Sequence, residues 1–323
     1  MGDYVAFPGL GIEIPISRGF ELFNTGITIY WYGVMIALGF ALAVIYALRN
    51  YKRFDLDIDR MIDVVLVAAV IAIVCARLYY ILFSGRLSEY LADPLSILAI
   101  RDGGLAIYGA VIGAFTTGLW MCRVRKVNTL AMFDIASIGF LIGQCLGRWG
   151  NFFNQEAFGG NTTLPWGMTG SSIALGQNGS NFDPSLPVHP TFLYESLWCL
   201  IGFVGLHILS KKAYKFKGQL FATYLMWYGL GRVIFEGLRT DSLMIGSLRV
   251  SQLLSALLIV AGAGLYYVLA RRAKLAALPV EEHLFSEPEA EIDVKAEEIT
   301  TLTLSDVDEE TEQTEEQQDG EDH

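Results

Sequence analysis

Two short stretches of this 323-residue chain carry side chains that could do chemistry. The first runs from Gly147 to Gly160 and reads Gly-Arg-Trp-Gly-Asn-Phe-Phe-Asn-Gln-Glu-Ala-Phe-Gly-Gly. It places Arg148, the amides Asn151 and Asn154, and Glu156 just beyond the apolar run 131–146. Phe152, Phe153 and Phe158 are out of place in a water-exposed loop, and an unpaired Arg148 is out of place in lipid. A membrane–water boundary satisfies both kinds of group. There the guanidinium could grip a phosphate through two parallel hydrogen bonds. A lone arginine at a helix end is ordinarily an interfacial anchor; two amides and a carboxylate beside it weigh against that reading. In the second stretch Tyr228, Arg232 and Glu236 recur at i, i+4 and i+8, with Arg239 three residues further. That spacing makes one stripe on a helix face. An internal Arg232–Glu236 pair would satisfy both charges.

The elements that must position these groups are membrane spans. Hydrophobic residues make up 53% of the chain and charged residues only 18%, which excludes an ordinary soluble domain. Apolar runs fall at about 27–48, 61–83, 104–121, 130–147, 191–210, 219–236 and 247–270. Each approaches the ~20 residues that cross the hydrocarbon core. The expected fold is therefore an all-α integral membrane protein of seven transmembrane helices. Residues 1–26 read as an extracytoplasmic surface segment, 27–274 as the seven-helix membrane domain, and 149–190 as an extracytoplasmic loop region long enough to cover a site. The net charge of -11 belongs to the tail, since 18 of the 34 acidic residues lie from Glu281 onward. Residues 275–323 have too little apolar surface to fold and are expected to be a disordered, solvated tail.

Orientation follows from the basic residues. Arg49, Lys52, Arg53 and Arg60, then Arg123, Arg125 and Lys126, then Lys211, Lys212, Lys215 and Lys217, then Arg271, Arg272 and Lys274 occupy alternate connections. The segment 149–190 has no Lys or Arg. The positive-inside rule puts the N-terminus outside and the tail in the cytoplasm. On that topology Tyr30, Tyr32, Arg77, Asp102, Tyr108, the Arg148–Glu156 stretch, the His189–Glu195 stretch and the Arg232 stripe all reach one depth, near the outer headgroups. Charged groups converging there suit an anionic, half-apolar ligand such as a phospholipid. Gly139, Gly143 and Gly147, like Gly109 and Gly113, are spaced for close helix packing. The four cysteines have no paired spacing and the four histidines no ligand spacing, so no metal site is expected.

With those residues in view, the chain resembles a known family. Gly147 to Gly159 is similar to the signature of bacterial phosphatidylglycerol–prolipoprotein diacylglyceryl transferases. Tyr30–Gly33, Asp102–Gly104, His189–Glu195 and the Tyr228–Arg239 stripe resemble further blocks of that family in the same order, over about residues 20–270. The resemblance implies a multi-pass enzyme of the bacterial cytoplasmic (inner) membrane. It would move the diacylglyceryl group of phosphatidylglycerol onto the lipobox cysteine of a prolipoprotein signal peptide, releasing glycerol phosphate. It implies no cofactor and no nucleic-acid partner. Arg148, Arg232, Tyr32, Tyr108 and Glu156 would be the catalytic group. Asn151, Asn154, Glu236, Arg239, Gly103, Gly104 and His189 would join Arg148 and Arg232 in binding substrate.

The residue types suit that reaction. Sulfur attacks a glyceryl carbon as a phosphate ester departs, and arginines neutralise the departing charge while staying protonated. The attacking thiolate is scarce for a cysteine of pKa ~8.5, so a base or a cationic field must assist. Many relatives have histidine where this chain has Tyr108, and histidine at the position of Tyr30. A tyrosine of pKa ~10 is a poor base. Either Tyr108 donates a hydrogen bond while Glu156 or the arginines activate the thiol, or Tyr108 titrates anomalously. The rival to an enzyme is a multi-pass transporter of a small anionic solute, which would favour polar groups at mid-bilayer and broken helices.

Overall fold

The structure is a computed structural model that describes residues 3–22, 26, 28–99, 103–177, 182–240, 244–245 and 248–276. Asp102 and the acidic tail from 277 onward lie outside the described residues. Among the described residues nine α-helices follow in chain order: α1 (Trp31–Asn50), α2 (Ile58–Phe83), α3 (Leu87–Ala92), α4 (Ile107–Val124), α5 (Thr129–Asn154), α6 (Ser171–Ala174), α7 (Thr191–Lys212), α8 (Gln219–Glu236) and α9 (Val250–Ala276).

Six of these helices are long and apolar enough to cross a membrane: α1 with its following turn, α2, α4, α5, α7 and the Ser251–Ala276 part of α9. Helix α8 keeps the bounds expected for the sixth of seven spans but falls outside that set. Gln219, Arg232 and Glu236 cost its 18 residues their apolarity. It is shielded instead by protein, packing on α5 and α7.

Helix α5 is the axis of the molecule, in contact with α1, α7 and α8, while α2 and α4 pair closely. Small residues permit that closeness. A methyl group added to Gly113 would lie 2.6 Å from Cys75 Cβ, and one on Gly39 would lie 3.0 Å from Gly143 Cα. Gly139 meets Ala43, but a methyl group on Gly147 would face open space, so the third rung of the expected glycine ladder makes no contact. The core between the helices is apolar, and Asp134 of α5 is a fully buried acid beside it. Its carboxylate accepts from the backbone N–H of Gly218 (2.6 Å) and Phe221 (2.8 Å) and from the Tyr214 hydroxyl (2.7 Å). The α8 N-cap is Gly218, which has no side chain, so Asp134 supplies the cap from another helix.

Residues 1–26 do more than cover a surface. Strands β1 (Tyr4–Phe7) and β2 (Ile12–Pro15) pair antiparallel, and β1 also pairs with β5 (Thr169–Gly170) from the long loop. Strands β3 (Gly19–Glu21) and β4 (Thr28–Tyr30) form a hairpin that leads into α1. Two-residue strands β6 (Met244–Ile245) and β7 (Leu248–Arg249) pair ahead of α9. Val5 is fully buried against Phe152, Phe158, Met168, Ile173, Val188 and Phe192. A mostly helical protein thus carries a small β-structured cap with its own core. Period-2 alternation over four residues is too short a signal to separate from loop in the sequence.

Candidate active site

Helix α5, expected to end near 147, continues to Asn154. Arg148, Asn151 and Asn154 therefore occupy its last two turns, three residues apart on one face. Gln155 stops the helix in the left-handed conformation (φ 51°), and Ala157 adopts φ 55°. Gln155 is fully buried. Its amide donates to Tyr4 O (3.2 Å) and Ser171 Oγ (3.0 Å), and its carbonyl accepts from Ser172 N–H (2.8 Å). That one side chain ties the helix end to the cap.

Beyond the turn the chain is held from both sides. Gly159 N–H donates to His189 O and His189 N–H to Gly160 O, both at 3.0 Å. Gly160 N–H donates to Leu238 O (3.0 Å), and Gly159 bridges to Arg239. A side chain at Gly159 would meet His189 Cβ at 2.8 Å, so glycine is required by the braid itself. The Thr191 hydroxyl donates to Ala157 O. The three family-like blocks around Glu156, His189 and Arg239 are thus joined through their backbones.

The polar side chains gather inside this braid. One Glu195 oxygen, Oε2, lies 2.8 Å from Arg148 and 3.5 Å from Arg232. Arg232 also pairs with Glu236 at 2.7 Å, as the i, i+4 spacing anticipates. Arginines from α5 and α8 therefore meet on a single carboxylate from α7. Arg148 reaches Asn151 Oδ1 (3.4 Å), and the Asn151 and Asn154 amides both donate to Glu156 Oε1 (3.0 and 3.2 Å). Tyr32 of α1 packs its ring against Gly150, where a Cβ would collide with it, and lies within electrostatic reach of Glu156 and Arg148.

A cavity opens beside the arginines, lined by Arg148, Glu195, Arg232 and Tyr228 with Trp198, Trp227 and Phe235. Trp198 of α7 and Trp227 of α8 stack at 4.1 Å and 12°, each indole N–H donating to the other's backbone carbonyl at 3.2 Å. Gly202 and Gly231 leave room for the rings. This lock sets the register of α7 on α8, and so the distance from Glu195 to Arg232. The result is an apolar slot ending in two carboxylate-paired arginines, groups whose donors can also grip an anion.

The other expected residues make contacts of their own. Gly103 and Gly104, both at positive φ, turn their carbonyls onto Arg77 (2.9 and 3.1 Å). Tyr108 is 57% exposed, with its ring against Tyr79. His189 sits near the Tyr194 hydroxyl (3.4 Å), and burial lowers its pKa below the ordinary value. Sequence reasoning placed Glu195 at the common depth and in a family-like block but gave it no role of its own, although an acid at the mouth of an apolar span carries the same cost that marks Arg148. Gln155 and the two tryptophans gave no signal beyond residue type.

Fold and site together define a multi-pass helical membrane protein in which two arginines meet buried carboxylates beside an apolar cavity. Residues 20–268 match the family model described as "Prolipoprotein diacylglyceryl transferase". The chain is 44% identical over 243 residues to the phosphatidylglycerol–prolipoprotein diacylglyceryl transferase of Clostridium novyi (strain NT), covering 75% of this chain and 91% of that one. It is 45% identical over 248 residues to the protein of the same name from Limosilactobacillus reuteri (strain DSM 20016), covering 76% and 88%. Against the one from Clostridioides difficile (strain 630) it is 38% identical over 255 residues, covering 79% and 96%. The chain belongs to the prolipoprotein diacylglyceryl transferase family, and the transporter alternative falls away.

Proposed function

We propose that this protein transfers the diacylglyceryl group of phosphatidylglycerol to the lipobox cysteine of prolipoproteins. The cysteine sulfur forms a bond to the glyceryl carbon, the bond from that carbon to the phosphate oxygen breaks, and glycerol phosphate leaves. The thiol proton passes to a base or to the departing phosphate. The observation that carries this reading is the meeting of Arg148 and Arg232 on Glu195 Oε2 at the end of an apolar slot. Two guanidiniums held ready can bind the phosphodiester and then stabilise the charge that grows on it as the ester departs. Asn151, Asn154, Glu156 and Tyr32 form the adjoining wall, where the acceptor thiol would approach. Glu236 and Arg239 steady the second arginine and the braid. Gly103, Gly104, Tyr108 and His189 line the approach rather than the phosphate site.

We further read α8 as a seventh span, with the arginine-rich ends of the helices in the cytoplasm and the site at the outer leaflet of the bacterial cytoplasmic membrane. Residues 277–323 are read as a tail dispensable for transfer. The test is incubation of the purified protein with phosphatidylglycerol labelled in its acyl chains and a lipobox peptide. Label should appear on the cysteine as a thioether. Absence of label from a folded, lipid-reconstituted preparation would overturn the reading.

A further inference from the structure

The inference concerns the second oxygen of Glu195 and rests on the reading just proposed. Glu195 is 96% buried, being 4% exposed, and lines the cavity. Its Oε2 takes both arginine contacts. Its Oε1 is buried and has no hydrogen-bond partner among the described residues. An ionised oxygen without a donor is costly, and a binding site commonly leaves one for its ligand to fill. The cavity narrows the choice of donor. Trp198, Trp227 and Phe235 supply no ionic partner, and Arg148 and Arg232 disfavour a third cation beside them. A neutral hydroxyl close to the phosphate meets both conditions.

We propose that Glu195 Oε1 accepts a hydrogen bond from a hydroxyl of the alcohol esterified to the lipid phosphate. One oxygen of Glu195 then positions the two arginines, and the other selects the headgroup. Phospholipids whose headgroup alcohol carries a free hydroxyl are the substrates this oxygen favours.

The experiment compares phosphatidylglycerol with phosphatidylpropanol of the same acyl chains, the second lipid having no headgroup hydroxyl. The readout is kcat/KM for transfer to a lipobox peptide in reconstituted vesicles. The wild-type protein should prefer phosphatidylglycerol by about 10- to 100-fold, the worth of one hydrogen bond to a charged group. Glu195→Gln keeps the shape and a neutral acceptor, and should reduce the preference to a few-fold. Glu195→Met has no acceptor and should bring it to about one. Both variants will be slower on both lipids, because the arginines lose their common anchor, so the ratio within each variant is what decides. If the Met variant transfers from neither lipid, the ratio in the Gln variant decides. Equal wild-type turnover of the two lipids would overturn the inference and leave the transferase reading standing, as would a wild-type ratio in the variants. Wild-type transfer from neither lipid would overturn both.

Discussion

Arg77 and the pair Arg148–Arg232 are three arginines set in long helices near the same end of the bundle, and the chain uses them in opposite ways. Arg77 turns its guanidinium onto backbone. Its Nε donates to Ile97 O (2.9 Å), one terminal nitrogen to Gly103 O and Gly104 O, and the other to Ser96 O (2.7 Å) and Ala99 O (3.5 Å). Tyr90 covers it at 5.3 Å. Those bonds organise the connection between α2 and α4, and a Cβ on Gly104 would collide with the guanidinium. Arg148 and Arg232 instead pair directly with carboxylates at the wall of a cavity. Position along a long helix therefore does not by itself decide how an arginine is satisfied. What separates them is whether backbone carbonyls or side-chain carboxylates hold the donors.

The comparison can be broken by exchanging arginine for lysine on each side, which keeps charge and removes the planar fork. Arg148→Lys should produce the largest effect, a loss of transfer of about 100-fold or more with the thermal midpoint nearly unchanged. Transfer at the wild-type rate would refute two-point grip on the phosphate. Arg77→Lys should do the reverse. It leaves several buried carbonyls without donors, at ~1–3 kcal/mol each, so the folded yield and midpoint in detergent should fall sharply. The molecules that remain folded should retain most of their turnover. An inactive Arg77→Lys protein of unchanged stability would erase the distinction.

Two smaller effects sharpen it. Tyr108 sits beside Tyr79 on the α2–α4 side, the side that Arg77 organises. Tyr108→Phe should lower transfer by less than about tenfold and leave the shape of the pH–rate curve intact. Loss of a limb of that curve would make the phenol a titrating group. The smallest effect concerns His189, whose pKa burial holds below the unfolded value of about 6.5. The unfolded chain then binds the proton more readily, so the stability from neutral His189 is present above that value and lost as pH falls through the folded one. Thermal midpoints measured from pH 7 to pH 5 should fall slightly more for wild type than for His189→Asn. Equal slopes would show that His189 makes no such contribution.

Much of this protein is determined by its sequence alone. Hydropathy decides a bundle of spans because unsatisfied backbone is prohibitive in lipid, and α2, α7 and α8 begin and end within three residues of their expected limits. Arg148, Asn151, Asn154, Glu156 and Arg232 could be marked in advance, because each is expensive where the pattern puts it. The tertiary structure alone decided which of the expensive groups meet. Arg77 has the same cost as Arg148 but is satisfied by carbonyls from a segment about 20 residues away, and no local pattern encodes that pairing. Glu195, Gln155 and the Trp198–Trp227 lock act through partners on other helices or strands, so their roles depend on helix rotation and register. Those quantities are set by packing at positions such as Gly113, Gly202 and Gly231, where the absence of a side chain lets another element come close.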